Sequence, residues 1–482
     1  MLLQFLIFVL SVNLCASTPS VIIIGAGPSG IAAATRLLKN GITNITVLEA
    51  ENRIGGRVYS VPFGKDYVDL GAEWCHGNQS NIVYDLINHL NILRPVTYVD
   101  PIISHSKYKI LWQAFSNNLT NTFREIYDLP REAVGSSGDY LTNKYEEKIS
   151  WLKYTSVGQS IARDAIQLLE MYTNAMDGTF SWYNGSAPKD YEGINTEDLS
   201  WDGHGYKTIL EFMMQKYPDP SKALPIDDKI LLNKEVEQIL WKSDEVVVKC
   251  KDGSTYSADY VIVTVSLGVL KHRHDTLFTP KLPADKATAI ERIGFEAVHK
   301  LFLHFNEKWW NDTANIFCFV WDKDDDIQFK EGPIKDGKSW LTSISIISGV
   351  SHNPNVLSVW FTGPFVPDIE KCSDEIITDG IMYLFDYFKI ADANTITHPD
   401  KIVRAKWFTN PHFRGTYSFQ TMNTRRGENS DESILSTPLG HDLSKPNLLF
   451  AGEATSPKHF STVHGAIESG FREADRILER CK

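Results

Sequence analysis

After residue 17 the chain holds no apolar run of the ~18 residues that a membrane-crossing helix requires, which excludes a helical span from the rest of it. Positive charge is also short: 48 Lys and Arg stand against 60 Asp and Glu, a net charge of −12. Phosphate contacts need a basic face, so nucleic acid is excluded as a partner. An acidic surface instead attracts cations and keeps a protein soluble. Cysteine is scarce, six in 482 residues, and the six lie far apart. That spacing excludes a zinc site and a disulfide-dense scaffold. Low-complexity tracts and internal repeats are absent as well. What remains is an ordinary globular composition over a length too great for one simple core, so two intertwined domains are expected.

The first residues, MLLQFLIFVLSVNLCAS, are apolar and end in small side chains. They read as a signal peptide over residues 1–17, cut near Ala16 or Ser17. Lys and Arg are missing ahead of the apolar run, so only the amino terminus is positive there. The run is shorter than the ~18 residues of a membrane anchor. A secreted, extracellular protein, or one in the lumen of the secretory pathway, is the expectation. Export fits the N-x-S/T sequons at Asn44, Asn78, Asn118, Asn184 and Asn311. Asn118, Asn184 and Asn311 sit in polar, loop-like sequence. Asn44 and Asn78 flank a glycine motif and are expected to be less accessible. Without Cys15, the cysteines are Cys75, Cys250, Cys318, Cys372 and Cys481. An odd number leaves at least one thiol unpaired within a chain. One or two disulfides at most are expected, and no pairing is assigned.

Residues 21–60, VIIIGAGPSGIAAATRLLKNGITNITVLEAENRIGGRVYS, are the most informative stretch. Residues 21–24 read as a buried parallel strand. Gly25, Gly27 and Gly30 follow in G-x-G-x-x-G spacing. The first glycine permits a tight turn, the second lets backbone approach a pyrophosphate, and the third lets helix pack on strand. A helix is predicted over 28–39, its N-terminal dipole facing the phosphates. Gly41 stops it, and residues 45–48 form the second strand. Glu49 then stands about twenty residues past the last glycine, where an acid can bind a ribose hydroxyl. Strand, turn, helix, strand and acid in this order point to a bound dinucleotide.

The remainder divides by pattern. Residues 81–201 show helical spacing and little strand alternation, as in SVGQSIARDAIQLLEMYTNAM. GHGYKTILEFMMQKY, from Gly203, reads as a loop leading into a helix. Strands are predicted at 229–232, 236–240, 246–250 and 260–265, with an Asp-Gly hairpin turn at Asp252-Gly253. Further strands at 297–305, 316–321, 340–347 and 356–362 suggest an antiparallel sheet carrying a substrate site. Near the C-terminus a strand at 448–451, a glycine turn and a helix opening at 461–476 return to the first pattern. The nucleotide-binding domain is therefore expected to be discontinuous, made of residues 20–75, 203–265 and 446–482. Residues 76–202 and 266–445 make the substrate-binding domain. Lys300, in GFEAVHKLFLHF, falls on the inward face of a half-buried strand, which is costly for a lysine unless it is paired.

The motif order GxGxxG, VLEA, GGR, GAEWCHG, a lysine in a strand, WFTNPHFRGTYS and AGEATSPKHFSTVHGAIESGFREA resembles that of the FAD-dependent amine oxidases. The resemblance runs over residues 21–478 and is greatest to the polyamine and spermine oxidase branch. It implies an α/β plus α+β fold, with a Rossmann-like FAD domain interleaved with a substrate domain of helices and a mixed, six-stranded sheet. It places Gly25, Gly27 and Gly30 at the FAD pyrophosphate, Glu49 at the adenosine ribose and Arg57 along phosphates and flavin. Gly71, Ala72, Glu73 and Trp74 pass the isoalloxazine ring, and the backbone of Val236 meets the adenine. Gly452 and Glu453 lie near pyrophosphate and ribityl chain. Thr462 and Val463 bring a helix start to the flavin carbonyl, where a dipole stabilises negative charge.

By the same resemblance Lys300 holds a water against flavin N5, and His76 of the W-x-H-G motif faces the substrate amine. Trp407 and Tyr417 line the substrate channel, where aromatic faces suit a methylene chain bearing an amine. Thr462 stands where plant-type enzymes carry a tyrosine, so the animal pattern fits better. The implied reaction is oxidation of spermine, spermidine or an acetylated form. Hydride passes to FAD, the imine is hydrolysed to an aminoaldehyde and a shorter amine, and O2 becomes H2O2. The acidic runs 190–198 and 322–326 are candidates for a funnel mouth that draws polycations.

Two rivals remain. An L-amino-acid oxidase needs an arginine after GGR to clamp a carboxylate, but none occurs before Arg94. A protein that keeps FAD without turnover would not need Lys300 and the aromatics.

Overall fold

The computed structural model describes residues 18–97, 99–129, 134–151, 154–192, 197–312, 314–392, 394–442 and 444–481. The apolar leader at 1–17, Cys15 with it, lies outside the described residues, as do positions 193–196 of the acidic run 190–198.

Val21–Ile24 is buried at every position, as only a strand covered on both faces can be. It lies in the middle of a five-stranded parallel sheet ordered Ile230–Leu231, Ile45–Leu48, Val21–Ile24, Tyr260–Val263, Leu448–Phe450. The Pro28–Lys39 helix packs on this sheet, with proline in its first turn, where a missing N–H costs nothing. Its neighbour is the last helix, Val463–Arg480. The two touch closely: a Cβ on Gly470 would come 2.2 Å from the Ser29 carbonyl oxygen. Arg36 and Asp475 close the same interface at 2.8 Å. The two ends of the chain thus share one layer.

The Asp-Gly turn is present. Val246–Cys250 pairs antiparallel with Thr255–Ala258, and Gly253 takes φ +86° in the turn between them, a conformation open to glycine. Val236–Leu240 and Phe278–Thr279 complete that four-stranded sheet.

The substrate domain is built on a mixed sheet of seven strands, one more than expected. Their order is Lys401–Arg404, His299–His304, Asn353–Phe361, Ile344–Val350, Ile316–Val320, Ile102–His105, Lys109–Ile110. Only Ile316–Val320 and Ile102–His105 run parallel. The last two strands come from the segment read as helical. At four and two residues they are too short to show alternation, which needs a longer window. The Asp374–Phe388 helix covers one face of the sheet through Ile377, Ile381, Leu384, Phe385 and Phe388. Helices Gln113–Tyr127, Ser137–Trp151, Ser156–Asp164 and Ile166–Asp177 gather around Leu119, Leu141, Tyr145 and Leu169.

All five described cysteines are free thiols. Among the described residues no helix is long and apolar enough to cross a membrane. At the edge of the run 322–326, Asp322 gathers with His105 and Asp164. His105 Nδ1 accepts the Lys107 amide at 3.1 Å, so its proton sits on Nε2 and points to Asp164 at 3.3 Å. That histidine is satisfied as a structural group.

Candidate active site

The site opens at the C-terminal ends of the parallel strands, where open α/β sheets bind ligands. Gly25 turns the chain at φ +107°. A Cβ on Gly30 would lie 1.9 Å from the Gly25 carbonyl oxygen, so this glycine is required by the fold itself. Gly27 differs. A Cβ there meets only the Cα of Gly56, at 3.9 Å, and one on Gly452 meets only the Thr264 carbonyl oxygen, also at 3.9 Å. Both face open space above the Pro28–Lys39 helix, whose N-terminus has no side-chain cap. Uncapped amides beside bare backbone make an anion cradle. Glu49 stands next to it, buried, and accepts the amides of Ala26 at 2.7 Å and Glu51 at 2.8 Å. Burial is the main influence on its carboxyl and holds the pKa above the ordinary value. Val236 begins its strand close by, its carbonyl taking an Arg273 N–H at 3.3 Å.

Arg57 ties three distant segments together. Its Nη1 donates to the Thr416 carbonyl at 2.7 Å and to Glu453 Oε1 at 2.9 Å. Glu453 Oε2 accepts the Ser418 hydroxyl at 2.5 Å and the Ser461 amide at 2.7 Å. One residue on, Thr462 caps the last helix by accepting the Gly465 amide at 3.1 Å, and Val463 is its first residue. A second helix N-terminus therefore points into the site.

Gly71–Trp74 runs between the two domains, its Ala72 amide held by the Arg57 carbonyl at 3.1 Å. Lys300 reaches it from the opposite sheet. It is 3% exposed. Its Nζ donates to the Gly71 carbonyl at 3.0 Å and to Glu73 Oε2 at 2.6 Å. The ring faces of Trp360 and Trp74 lie 4.9 and 6.0 Å from Nζ, and those two indoles stack at 5.6 Å. Sequence reasoning put Lys300 and the Gly71–Trp74 segment at one flavin, but it missed Trp360 and the ion pair with Glu73.

It also missed Asp69. This buried acid takes the Ser60 hydroxyl and accepts the Tyr206 amide at 3.0 Å. Burial raises it from 3.8 to about 7, against the pull of Ser60 and the charge of Lys300. A carboxyl whose native pKa exceeds its unfolded value binds the extra proton when folded. Stability is then lost as pH rises from about 4 to about 7. Asp69→Asn is expected to flatten this dependence. Its urea midpoint, compared with wild type at about pH 4.5 and about pH 7.5, should gain at the higher pH.

His76 enters on a two-residue strand paired with Asp198–Ser200. Its Nδ1 lies 2.8 Å from Asp198 Oδ1, and its side chain is 40% exposed. Asp198 belongs to the run 190–198 and serves this histidine. His459 and His76 also flank His464, which burial first and these neighbours second push down to about 3. Trp407 donates its indole N–H to the Leu70 carbonyl at 3.0 Å. Its ring would meet a Cβ on Gly71 at 3.3 Å. The ring also lines a surface cavity with Arg53, Tyr59 and Phe413. Tyr417 is held from the helical side. Its hydroxyl donates to the Ala175 carbonyl, and its ring packs on Gly178. Burial pushes the phenol well up. Arg94, the nearest arginine after GGR, bonds the Asn91 and Leu93 carbonyls and Asp202, so it clamps no substrate carboxylate.

A dinucleotide cradle and a buried lysine converging on one interdomain segment are the parts of a flavin-dependent oxidoreductase. Residues 28–478 match the family of flavin containing amine oxidoreductases, and the chain belongs to it. Two curated relatives span almost the same length. The chain is 28% identical to the probable polyamine oxidase 5 of Arabidopsis thaliana, covering 97% of this chain and 99% of that one. It is 28% identical to the peroxisomal N(1)-acetyl-spermine/spermidine oxidase of Homo sapiens, covering 97% and 96%. A solved structure of a putrescine oxidase double mutant shares the fold, with a TM-score of 0.67 at 17% identity over 96% of this chain and 99% of that one. The cofactor is FAD. The donor set suits it: open backbone at Gly27 and Gly452, an uncapped helix N-terminus and a buried acid beside it.

Proposed function

We propose that the chain is a secreted, glycosylated FAD-dependent polyamine oxidase. It oxidises spermine, spermidine or an acetylated form to an aminoaldehyde and a shorter amine while reducing O2 to H2O2. The observation that carries this reading is Lys300, a buried ammonium brought from the substrate sheet onto Gly71 and Glu73. Bound FAD supplies the hydride acceptor.

The chain supplies the rest. Gly27 and Gly452 leave room for the pyrophosphate, and two helix N-termini favour its charge and that of the flavin. Glu49 is set for the ribose. Lys300 holds a water with the N–H that its two protein partners leave over. His76, steadied by Asp198, meets the substrate amine and takes or returns its proton. Trp407 and Tyr417, each anchored by a backbone carbonyl, offer aromatic faces to the methylene chain.

Peroxide release with spermine, N1-acetylspermine, spermidine and leucine, compared side by side, tests this reading. Polyamines should give peroxide and leucine none; the reverse pattern sinks it. Secretion is supported by the leader sequence and by the five sequon asparagines, all exposed, with Asn118 on a helix rather than a loop. Expression in eukaryotic cells should put the protein in the medium, with a mass that falls on glycosidase treatment. A protein that stays inside the cell at its polypeptide mass would refute that part.

A further inference from the structure

Glu73 lies within a segment that the family resemblance assigns to passing the ring of the cofactor, yet its side chain has a different task. Its carboxylate makes one hydrogen bond among the described residues, to Lys300 Nζ at 2.6 Å. The two residues lie 227 positions apart, on opposite domains. Glu73 is 21% exposed on its side chain and Lys300 only 3%. The lysine therefore depends on the glutamate more than the reverse, because a buried ammonium without an anionic partner is costly.

An ammonium has three N–H donors. Gly71 takes one and Glu73 takes another. The third is left over among the rings of Trp360, Phe302 and Trp74, at 4.9, 5.5 and 6.0 Å from Nζ. Two bonds to fixed acceptors thus set the direction of the third. The charged groups around Lys300 come from one stretch, residues 69–73. Glu73 touches it directly. Asp69, on the Asp66–Asp69 strand, interacts through its charge while its oxygens serve Ser60 and Tyr206. The sheet side contributes Trp360 and Phe302, which carry no charge.

We propose that Glu73 is the positioning residue for Lys300: it aims the remaining N–H at the reacting face and supplies the anion with which the buried ammonium is paired. This rests on the reading of Lys300 as a catalytic group. A glutamine at this position keeps the shape and an acceptor oxygen but removes the anion. An aspartate keeps the anion and shortens the reach.

The test uses the FAD-loaded enzyme in five forms: wild type, Glu73→Gln, Glu73→Asp, Lys300→Met and the double variant of Glu73→Gln with Lys300→Met. Two quantities are followed against pH. One is the rate of flavin reduction and reoxidation by stopped-flow absorbance. The other is the visible spectrum of the resting oxidised flavin, which needs no turnover. In Glu73→Gln the alkaline midpoint of the rate profile should move down by at least about one pH unit, since loss of an adjacent anion favours the neutral amine. The pH-dependent change in the flavin spectrum should move with it. Glu73→Asp should restore part of the shift. Adding Glu73→Gln to Lys300→Met should change neither readout further, because the two act as one unit. Unmoved profiles and spectra in a Glu73→Gln enzyme that retains FAD would overturn the proposal. So would an equal shift in the Lys300→Met background. Failure of the underlying catalytic reading shows separately, as wild-type rates in Lys300→Met alone.

Discussion

Lys300→Met is expected to slow the flavin steps by about 10²- to 10⁴-fold, the usual loss for a positioned proton-handling group, with FAD still bound. Methionine keeps the length and the apolar contacts of the stem against Trp360 and Phe302. It removes the ammonium, and with it the donor proposed to hold a water at the reacting face. The residues proposed to hold the cofactor are elsewhere: the cradle at Gly27 and Gly452, and the Arg57–Glu453 junction at 2.9 Å. The Glu73 carboxylate is left without its partner, but its partial exposure lets water replace the ammonium. Two measurements check this, flavin absorbance of the purified variant and stopped-flow traces with spermine and with O2. Wild-type rates in a flavin-replete variant would remove Lys300 from the chemistry.

Gly27→Val should produce the opposite phenotype, a folded protein that has lost its cofactor. At Gly27 the backbone is ordinary, with φ −72° and ψ −179°, so a valine adopts it without strain. Its Cβ finds no protein atom nearer than 3.9 Å. The side chain is therefore expected to enter the open space proposed for the pyrophosphate. FAD affinity should weaken by at least about 100-fold, or about 2.8 kcal/mol. Gly30→Ala makes the contrast. There the new atom lies 1.9 Å from a carbonyl oxygen, so backbone must shift and the apoprotein itself should be destabilised. Circular dichroism and thermal midpoints of both apoproteins, beside flavin content, separate the two cases. A Gly27→Val protein that purifies yellow at wild-type stoichiometry would show that the cradle is not where the phosphates sit.

Local signals were legible in the sequence and non-local ones were not. The helix at 28–39 was readable because proline, the alanine run and Gly41 mark it within a few residues of itself, and the structure places it at Pro28–Lys39. The hairpin at Asp252-Gly253 was readable from its turn residues. The strand carrying Lys300 was placed correctly, but the half-buried alternation read there does not hold: His299–Leu303 is buried at every position, because the sheet is covered on both faces. The partner of Lys300 was not readable. Glu73 is adjacent to Trp74 in a recognisable motif, but nothing local to either residue says that the two meet. The same holds for His76 and Asp198, 122 positions apart, on strands too short to carry a pattern. Asp69 looks like any acid at a strand end; only the packing of Tyr206 and Ser60 around it makes it a buried acid with a pKa of about 7. The seventh strand escaped because two residues have no periodicity.

The parallel sheet places Leu448–Phe450 beside Tyr260–Val263, which in turn adjoins Val21–Ile24, and the last helix lies against the first. This fixes an order of events during synthesis. The glycine turn leaves the ribosome hundreds of residues ahead of the strand, the Glu453 carboxylate and the helix start that would complete its cradle. The nascent chain must hold a half-built binding site through hundreds of residues, at roughly 5–20 residues per second. FAD therefore has no complete site to enter until the C-terminal strand and helix have emerged. Any truncation before Leu448 should yield a polypeptide that never binds it, however complete its N-terminal motif.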